Sequence, residues 1–217
     1  MPKREETPEA VLDEREIGIL AAAGRAIARR GFEATRIADI AREAGTSTGT
    51  VHYYFETKDD VLAAALRWAN DESFRQVQAQ VAELRDPKAR LTALLESSVP
   101  APGELREAFI LWMELSLAAS RLEQPDLMPE SEQAAERWLE LFVDVIEDGT
   151  ATRVFRTGAA GEEVADRLIA LGDGLAFKSI VGNRRIGPER ARELLFRFAE
   201  EQLGLADGDL ERRASDG

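Results

Sequence analysis

The chain has no cysteine and only one histidine among its 217 residues. Without cysteine there are no disulfides and no thiolate chemistry. Also missing are an HExxH run, a phosphate-cradling glycine loop ahead of a helix, and a nucleophile elbow. Acidic residues are plentiful, but none forms a metal-spaced cluster distinct from ordinary helix surface. The expectation is therefore a protein that is not an enzyme and that carries no cofactor and no metal. No apolar run reaches the ~20 residues that a membrane span requires. The start, Met1-Pro2-Lys3-Arg4-Glu5-Glu6, lacks the apolar region of a secretory signal, so no membrane partner is expected and the cytoplasm is the default location.

Positive charge is scarce as well: 28 Lys and Arg stand against 41 Asp and Glu, a net charge of −13. That balance opposes bulk attraction to nucleic acid, where cations replace counterions at phosphates. Affinity depends on the local charge of the docking face, however, and an acidic body can suppress indiscriminate binding.

What the chain does have is helix-forming sequence throughout. Ala, Leu, Glu and Arg dominate, and no stretch alternates in the manner of a strand. The expected fold is all-α with about nine helices. Thr7-Pro8 reads as cap and first residue of a helix that Gly31 ends. Thr35 reads as the cap of a short helix over 37–44, closed by Gly45, and a third short helix ends near Phe55. Thr57 with Asp60 has the form of a capping box that opens a long fourth helix towards Leu84. Further helices are expected near 88–98, 103–121, 130–148, 162–181 and 188–203. The domain reading is 8–57, 58–204 and a flexible tail over 205–217.

Two short helices joined by a glycine-containing turn, after a longer amphipathic helix, have the layout of a helix-turn-helix. A helix entering the major groove needs an outward face that is small, polar or flat aromatic. Residues 46–58 meet this requirement. Val51 and Phe55, four apart, face a core, while Thr48, Thr50, His52 and Tyr53 point elsewhere. Gly49 permits close backbone approach. Hydroxyls and the Lys58 ammonium suit phosphate.

The order Gly31-Phe32, Thr35, Ile40-Ala41, Ala44-Gly45, Gly49-Thr50, Tyr54-Phe55 and Lys58 resembles the N-terminal domain of TetR-family regulators. The resemblance implies a homodimeric regulator, a repressor, that binds a pseudo-palindromic double-stranded DNA operator and is released by a small-molecule effector. It places Thr35 at a phosphate, Thr46, Ser47, Thr48 and Thr50 in or beside the groove, and His52 and Tyr53 at base edges or sugar. Tyr54 and Lys58 would hold phosphates, with Arg36 an additional contact. The sequence departs from the family at two positions. Thr48 stands where Lys is common and His52 where Tyr is common, which puts operator sequence and affinity in question.

The body is rich in aromatic stripes. Leu105, Ala108, Phe109, Trp112, Leu115 and Ala119 form one face of a helix that Ile110, Met113 and Leu117 make apolar nearly all round, an indication of central burial. The candidate pocket comprises Trp68, Phe74, Phe109, Trp112, Met113, Glu114, Trp138 and Phe142. Aromatic groups near a carboxylate suit a cationic or quaternary-ammonium ligand; the same stripes could equally be plain core. Leu111-Trp112-Met113-Glu114-Leu115, Trp138, Val154-Phe155 and Gly172-Asp173-Gly174-Leu175 resemble the BetI branch of that family. Val164, Leu168, Leu171, Leu175, Ser179, Leu194, Leu195 and Phe198 are the candidate dimer interface. The competing reading is a helical ligand-binding or interaction protein whose head does not bind DNA.

Overall fold

The computed structural model describes residues 12–99, 104–120 and 127–210, with the side chains of 104, 105, 108, 115, 116, 118–120 and 127–131 outside that description. Among the described residues there are nine α-helices and no strand, the architecture expected from the composition. They divide into two compact units, Met1–Ala69 and Asn70–Gly217.

The first unit holds α1 (Glu14–Arg30), α2 (Ile37–Glu43), α3 (Thr48–Tyr54) and the opening turns of α4 (Lys58–Glu83). The expected Thr7-Pro8 start lies outside the described residues; within them α1 is capped by Asp13, whose carboxylate accepts the Glu16 N–H at 2.8 Å. Glu14 and Glu16 occupy its first turn and Arg29 and Arg30 its last, complementing the helix dipole at both ends. Ile19, Leu20, Ala23 and Ile27 recur at three- and four-residue spacing and are buried, which gives α1 the face that packs on α2. Beyond α2, Gly45 takes φ +64°, a left-handed conformation that disfavours a side chain, and α3 follows directly.

Thr35 corrects the sequence reading. It is 0% exposed, and its hydroxyl donates backwards to the Gly31 carbonyl at 2.8 Å. The residue before α2 is Arg36, which makes no side-chain cap bond. Thr57 does what its spacing indicated: the Asp60 N–H donates to the Thr57 hydroxyl at 3.1 Å, and the Thr57 N–H donates to the Asp60 carboxylate at 2.9 Å. The first unit extends beyond the expected 57/58 boundary, because α4 contributes Val61, Leu62, Ala65 and Leu66, all buried.

The second unit contains the rest of α4, then α5 (Pro87–Ser97), α6 (Glu104–Ser120), α7 (Leu127–Ala151), α8 (Gly161–Ile180) and α9 (Pro188–Gln202). Helix α7 packs on α5, α6 and α8, and α8 packs on α9. One apolar core joins Leu91, Leu94 and Leu95 to Phe142, Val145, Ile146, Leu168, Leu195 and Phe196. Each fully buried residue of this kind contributes roughly 1.5–3 kcal/mol relative to exposure.

Three sequence expectations change here. The helix expected near 130–148 does not stop before Gly149; α7 runs on to Ala151, and the chain then doubles back so that the Phe155 ring lies against Gly149. The glycine provides room for a ring. The apolar α6 is not buried all round, since Leu117 is 55% exposed. Residues 205–210 are not a free tail either. The buried Glu200 carboxylate accepts the Gly208 N–H at 3.0 Å and the Leu210 N–H at 2.9 Å, Leu210 is buried, and Lys88 pairs with Asp209 at 2.8 Å. Residues 211–217 lie outside the described residues.

Candidate functional site

The second short helix, α3, is built as a groove-reading element needs to be. Val51 and Phe55 are buried and hold it to the first unit, while Thr48, Gly49, His52 and Tyr53 stand exposed on the other side. Tyr53 is 82% exposed, with its ring edge-to-face on Tyr54 at 5.1 Å, so neither tyrosine is buried in the core. Ser47 caps the helix by accepting the Thr50 N–H at 3.0 Å and bonds the Thr50 hydroxyl at 2.9 Å. Its oxygen is therefore engaged inside the protein. Thr46 and Thr50 are half-buried beside it. A Cβ added at Gly49 would meet only the Ser47 hydroxyl, at 3.6 Å, which is ordinary contact, so nothing within the described chain demands glycine there.

Two residues read as phosphate ligands already hold partners. Tyr54 donates its hydroxyl to the Asp13 carboxylate at 2.9 Å, and Lys58 donates to the Glu33 carbonyl at 2.8 Å with Phe32 beneath it. The Glu16 N–H and then the Tyr54 hydroxyl hold the Asp13 carboxyl below the usual carboxylate range; the Asp13 hydrogen bond in turn raises Tyr54. Lys58 thus has an oxygen at the helix start without any phosphate. Around α2 the cations are ion-paired two to one carboxylate: Arg25 and Arg29 bind Glu43, and Arg30 and Arg42 bind Asp39. The Arg36 side chain is exposed and has no ion pair among the described residues. Thr35, buried and bonded inward, leaves the set of side chains able to touch DNA.

The expected body site separates into parts. Trp68 belongs to the first unit and the other seven residues to the second. Phe74 and Phe142 are members of the second unit's core, and Trp138 packs on Phe74 edge-to-face at 5.1 Å. The Arg137 guanidinium covers the Phe74 ring at 5.1 Å and pairs with Asp71, while its Nε is buried with no hydrogen-bond partner among the described residues. That ring face is already occupied by a cation. On α6, Phe109, Trp112, Met113 and Glu114 are half-buried, with Phe109 and Trp112 at 6.3 Å. Sequence reasoning missed Asp173 as a titratable group: burial raises its carboxyl to about 6. Its place inside the apolar pattern of α8 was the available signal.

The dimer candidates also need correction. Val164, Leu168, Leu175 and Leu195 are buried in the protomer's own core and cannot face a second copy as well; Leu171, Ser179, Leu194 and Phe198 are half-buried. The large exposed apolar groups at the C-terminal end of α8 are Phe177 and, at its C-cap, Val181, at 52% and 57%.

A short capped helix offering threonine, histidine and tyrosine outward from a buried Val51–Phe55 anchor defines a helix-turn-helix head. The comparisons agree. Residues 19–65 match the profile "Bacterial regulatory proteins, tetR family", and residues 87–204 match "BetI-type transcriptional repressor, C-terminal". The transcriptional regulator PksA of Bacillus subtilis is 24% identical over 84% of this chain and 86% of its own length. The regulator BetI 1 of Chromohalobacter salexigens is 26% identical, over 80% and 82% respectively. A transcriptional regulator from Saccharomonospora viridis, solved in complex with choline, shares 34% identity and a TM-score of 0.80, covering 88% of this chain and 97% of that one. The chain belongs to the TetR family of bacterial transcriptional regulators, with a C-terminal part of the BetI type. Its function is that of a ligand-responsive, DNA-binding regulator.

Proposed function

We propose that the protein is a repressor that binds a pseudo-palindromic operator as a homodimer and leaves it when a small cationic effector enters the second unit. The observation that carries the DNA half of this reading is the outward face of α3. Thr48, His52 and Tyr53 are available to base edges and sugar, Gly49 to close backbone approach, and Arg36 to phosphate, with half-buried Thr50 at the margin once its hydroxyl leaves Ser47. Thr46, Tyr54 and Lys58 flank that face. Tyr54 and Lys58 exchange their internal oxygen partners for phosphate oxygens on docking.

The second copy docks on α8 through Phe177 and Val181, with exposed Gly174 on the same side leaving room for close approach. Leu171, Ser179, Leu194 and Phe198 form the margin. Two heads then meet half-sites about one helical turn apart. The effector site draws on Phe109, Trp112, Met113, Glu114 and Trp138, since the Phe74 face already holds Arg137. Choline in the Saccharomonospora regulator makes a quaternary ammonium the first ligand class to test here. Helix α4 begins at Lys58 in the first unit and ends at Glu83 in the second, and it couples effector to head by differential stabilisation of two states. Among the described residues no helix is long and apolar enough to cross a membrane, and the proposed location is the cytoplasm.

Selection of duplexes from a randomised library, followed by footprinting with and without choline, tests this reading. Two protected half-sites that vanish with choline are expected. Protection that persists unchanged would remove the cationic effector, and absence of any selected sequence would remove the operator.

A further inference from the structure

We infer that Asp13 sets operator affinity by competing with DNA for Tyr54, an inference that rests on the proposed docking of α3. The geometry is specific. One Asp13 oxygen caps α1 through the Glu16 N–H at 2.8 Å, and the other receives the Tyr54 hydroxyl at 2.9 Å, across 41 residues of sequence. A tyrosine hydroxyl has one proton to donate. While Asp13 holds it, the Tyr54 oxygen faces a carboxylate rather than the sugar-phosphate rail.

A phosphate oxygen accepting that proton would lie about 2.7 Å from the hydroxyl, and therefore within about 6 Å of the carboxylate in its present place. Docking must break a charge-assisted hydrogen bond and bring two anions together. Arg15, the charged residue that acts electrostatically on both Asp13 and Tyr54, offsets part of that repulsion. The acid therefore imitates the phosphate it excludes, and it weakens binding to every sequence alike, because it touches no base-reading group. In a chain whose bulk charge already resists DNA, this contact places part of that resistance at the docking face itself.

Asp13→Asn tests the inference without disturbing the helix. Asn caps as well as Asp; its carbonyl keeps the Glu16 N–H, and its amide then donates to the Tyr54 oxygen, freeing the tyrosine proton. Asp13→Ser is the second variant: it keeps a capping hydroxyl but is too short to reach Tyr54. Glu14→Gln is the control, removing the same charge one residue along from an exposed position that does not touch Tyr54. Affinity is read by fluorescence anisotropy on a duplex selected from a randomised library with the wild-type protein, with thermal melts to verify folding. Both Asp13 variants should bind roughly three- to tenfold more tightly per head at low salt, and Glu14→Gln by less than about twofold. The gain from Asp13→Asn should shrink to that of the control when Tyr54→Phe is also present. Equal gains from Asp13→Asn and Glu14→Gln would assign the effect to bulk charge and overturn the inference. Unchanged or weaker binding by both Asp13 variants would also overturn it, because the carboxylate would then be orienting Tyr54. If the wild type selects no duplex at all, the docking of α3 is wrong and the inference falls with it, a result distinct from the other two.

Discussion

Asp173 lies in α8 one turn from half-buried Ile169 on one side and buried Ala176 on the other, both apolar. Burial raises its carboxyl from 3.8 to about 6 in the folded chain. The sign follows from proton counting. As pH falls below about 4 the group becomes neutral in both states and its cost fades. Between about 4 and 6 the unfolded chain releases the proton while the folded chain keeps it, so stability falls as pH rises. Above about 6 the penalty is complete and constant. Two units at about 1.4 kcal/mol each bound it at about 3 kcal/mol, an upper figure because the group is partly open to water. Asp173→Asn has nearly the same shape and no charge, so it should remove the penalty. Urea denaturation followed by circular dichroism, at one protein concentration and several pH values, reads the difference. The variant should match wild type near pH 4 and exceed it by about 1–3 kcal/mol near pH 7.5. Asp13, Asp39, Glu43 and Glu193 are held below their usual range by hydrogen-bonding partners, so their contribution disappears at lower pH and cancels between the two proteins. A stability difference of the same size at every pH would refute the reasoning.

Other residues give sharper yes-or-no tests. Gly49→Ala should leave the melting temperature unchanged or slightly raised, by up to about 0.5 kcal/mol of stability, yet weaken DNA binding, because the reason for glycine lies outside the chain. Gly149→Ala should destabilise by about 1–3 kcal/mol in a thermal melt, since a methyl there would overlap the Phe155 ring. Glu200→Ala should cost about 2–4 kcal/mol by leaving the Gly208 and Leu210 N–H groups without their acceptor. Phe177→Glu should yield monomers in sedimentation while leaving the helical content intact, because Phe177 is not part of the protomer's core.

The head was largely legible because its determinants are local. Val51 and Phe55 sit four apart and are buried, and Thr57 with Asp60 closes a reciprocal cap three residues wide. Where a residue has two local options, sequence does not choose between them. Thr35 can bond forward to α2 or back to Gly31, and the packing around it selects the latter. Gly149 shows the same ambiguity, since a helix stop and a seat for a ring use one residue type. The Asp13–Tyr54 bond was invisible for a different reason: its partners lie far apart in sequence and meet only in the folded head. On α8 and α9 the apolar period marks a buried face without naming what buries it. Val164, Leu168 and Leu195 went to the protomer's core, and the exposed pair on which the proposed second copy would dock, Phe177 and Val181, falls off that stripe.

The most direct test of the central claim, that α3 docks on duplex DNA through a small set of cationic and hydroxyl contacts, is the salt dependence of binding to a library-selected duplex. Wild type should lose affinity steeply as salt rises, and Arg36→Ala should lower the slope of log K against log salt by about one per head while preserving sequence preference. A flat salt response in wild type, with selected and scrambled duplexes bound equally, would contradict the account.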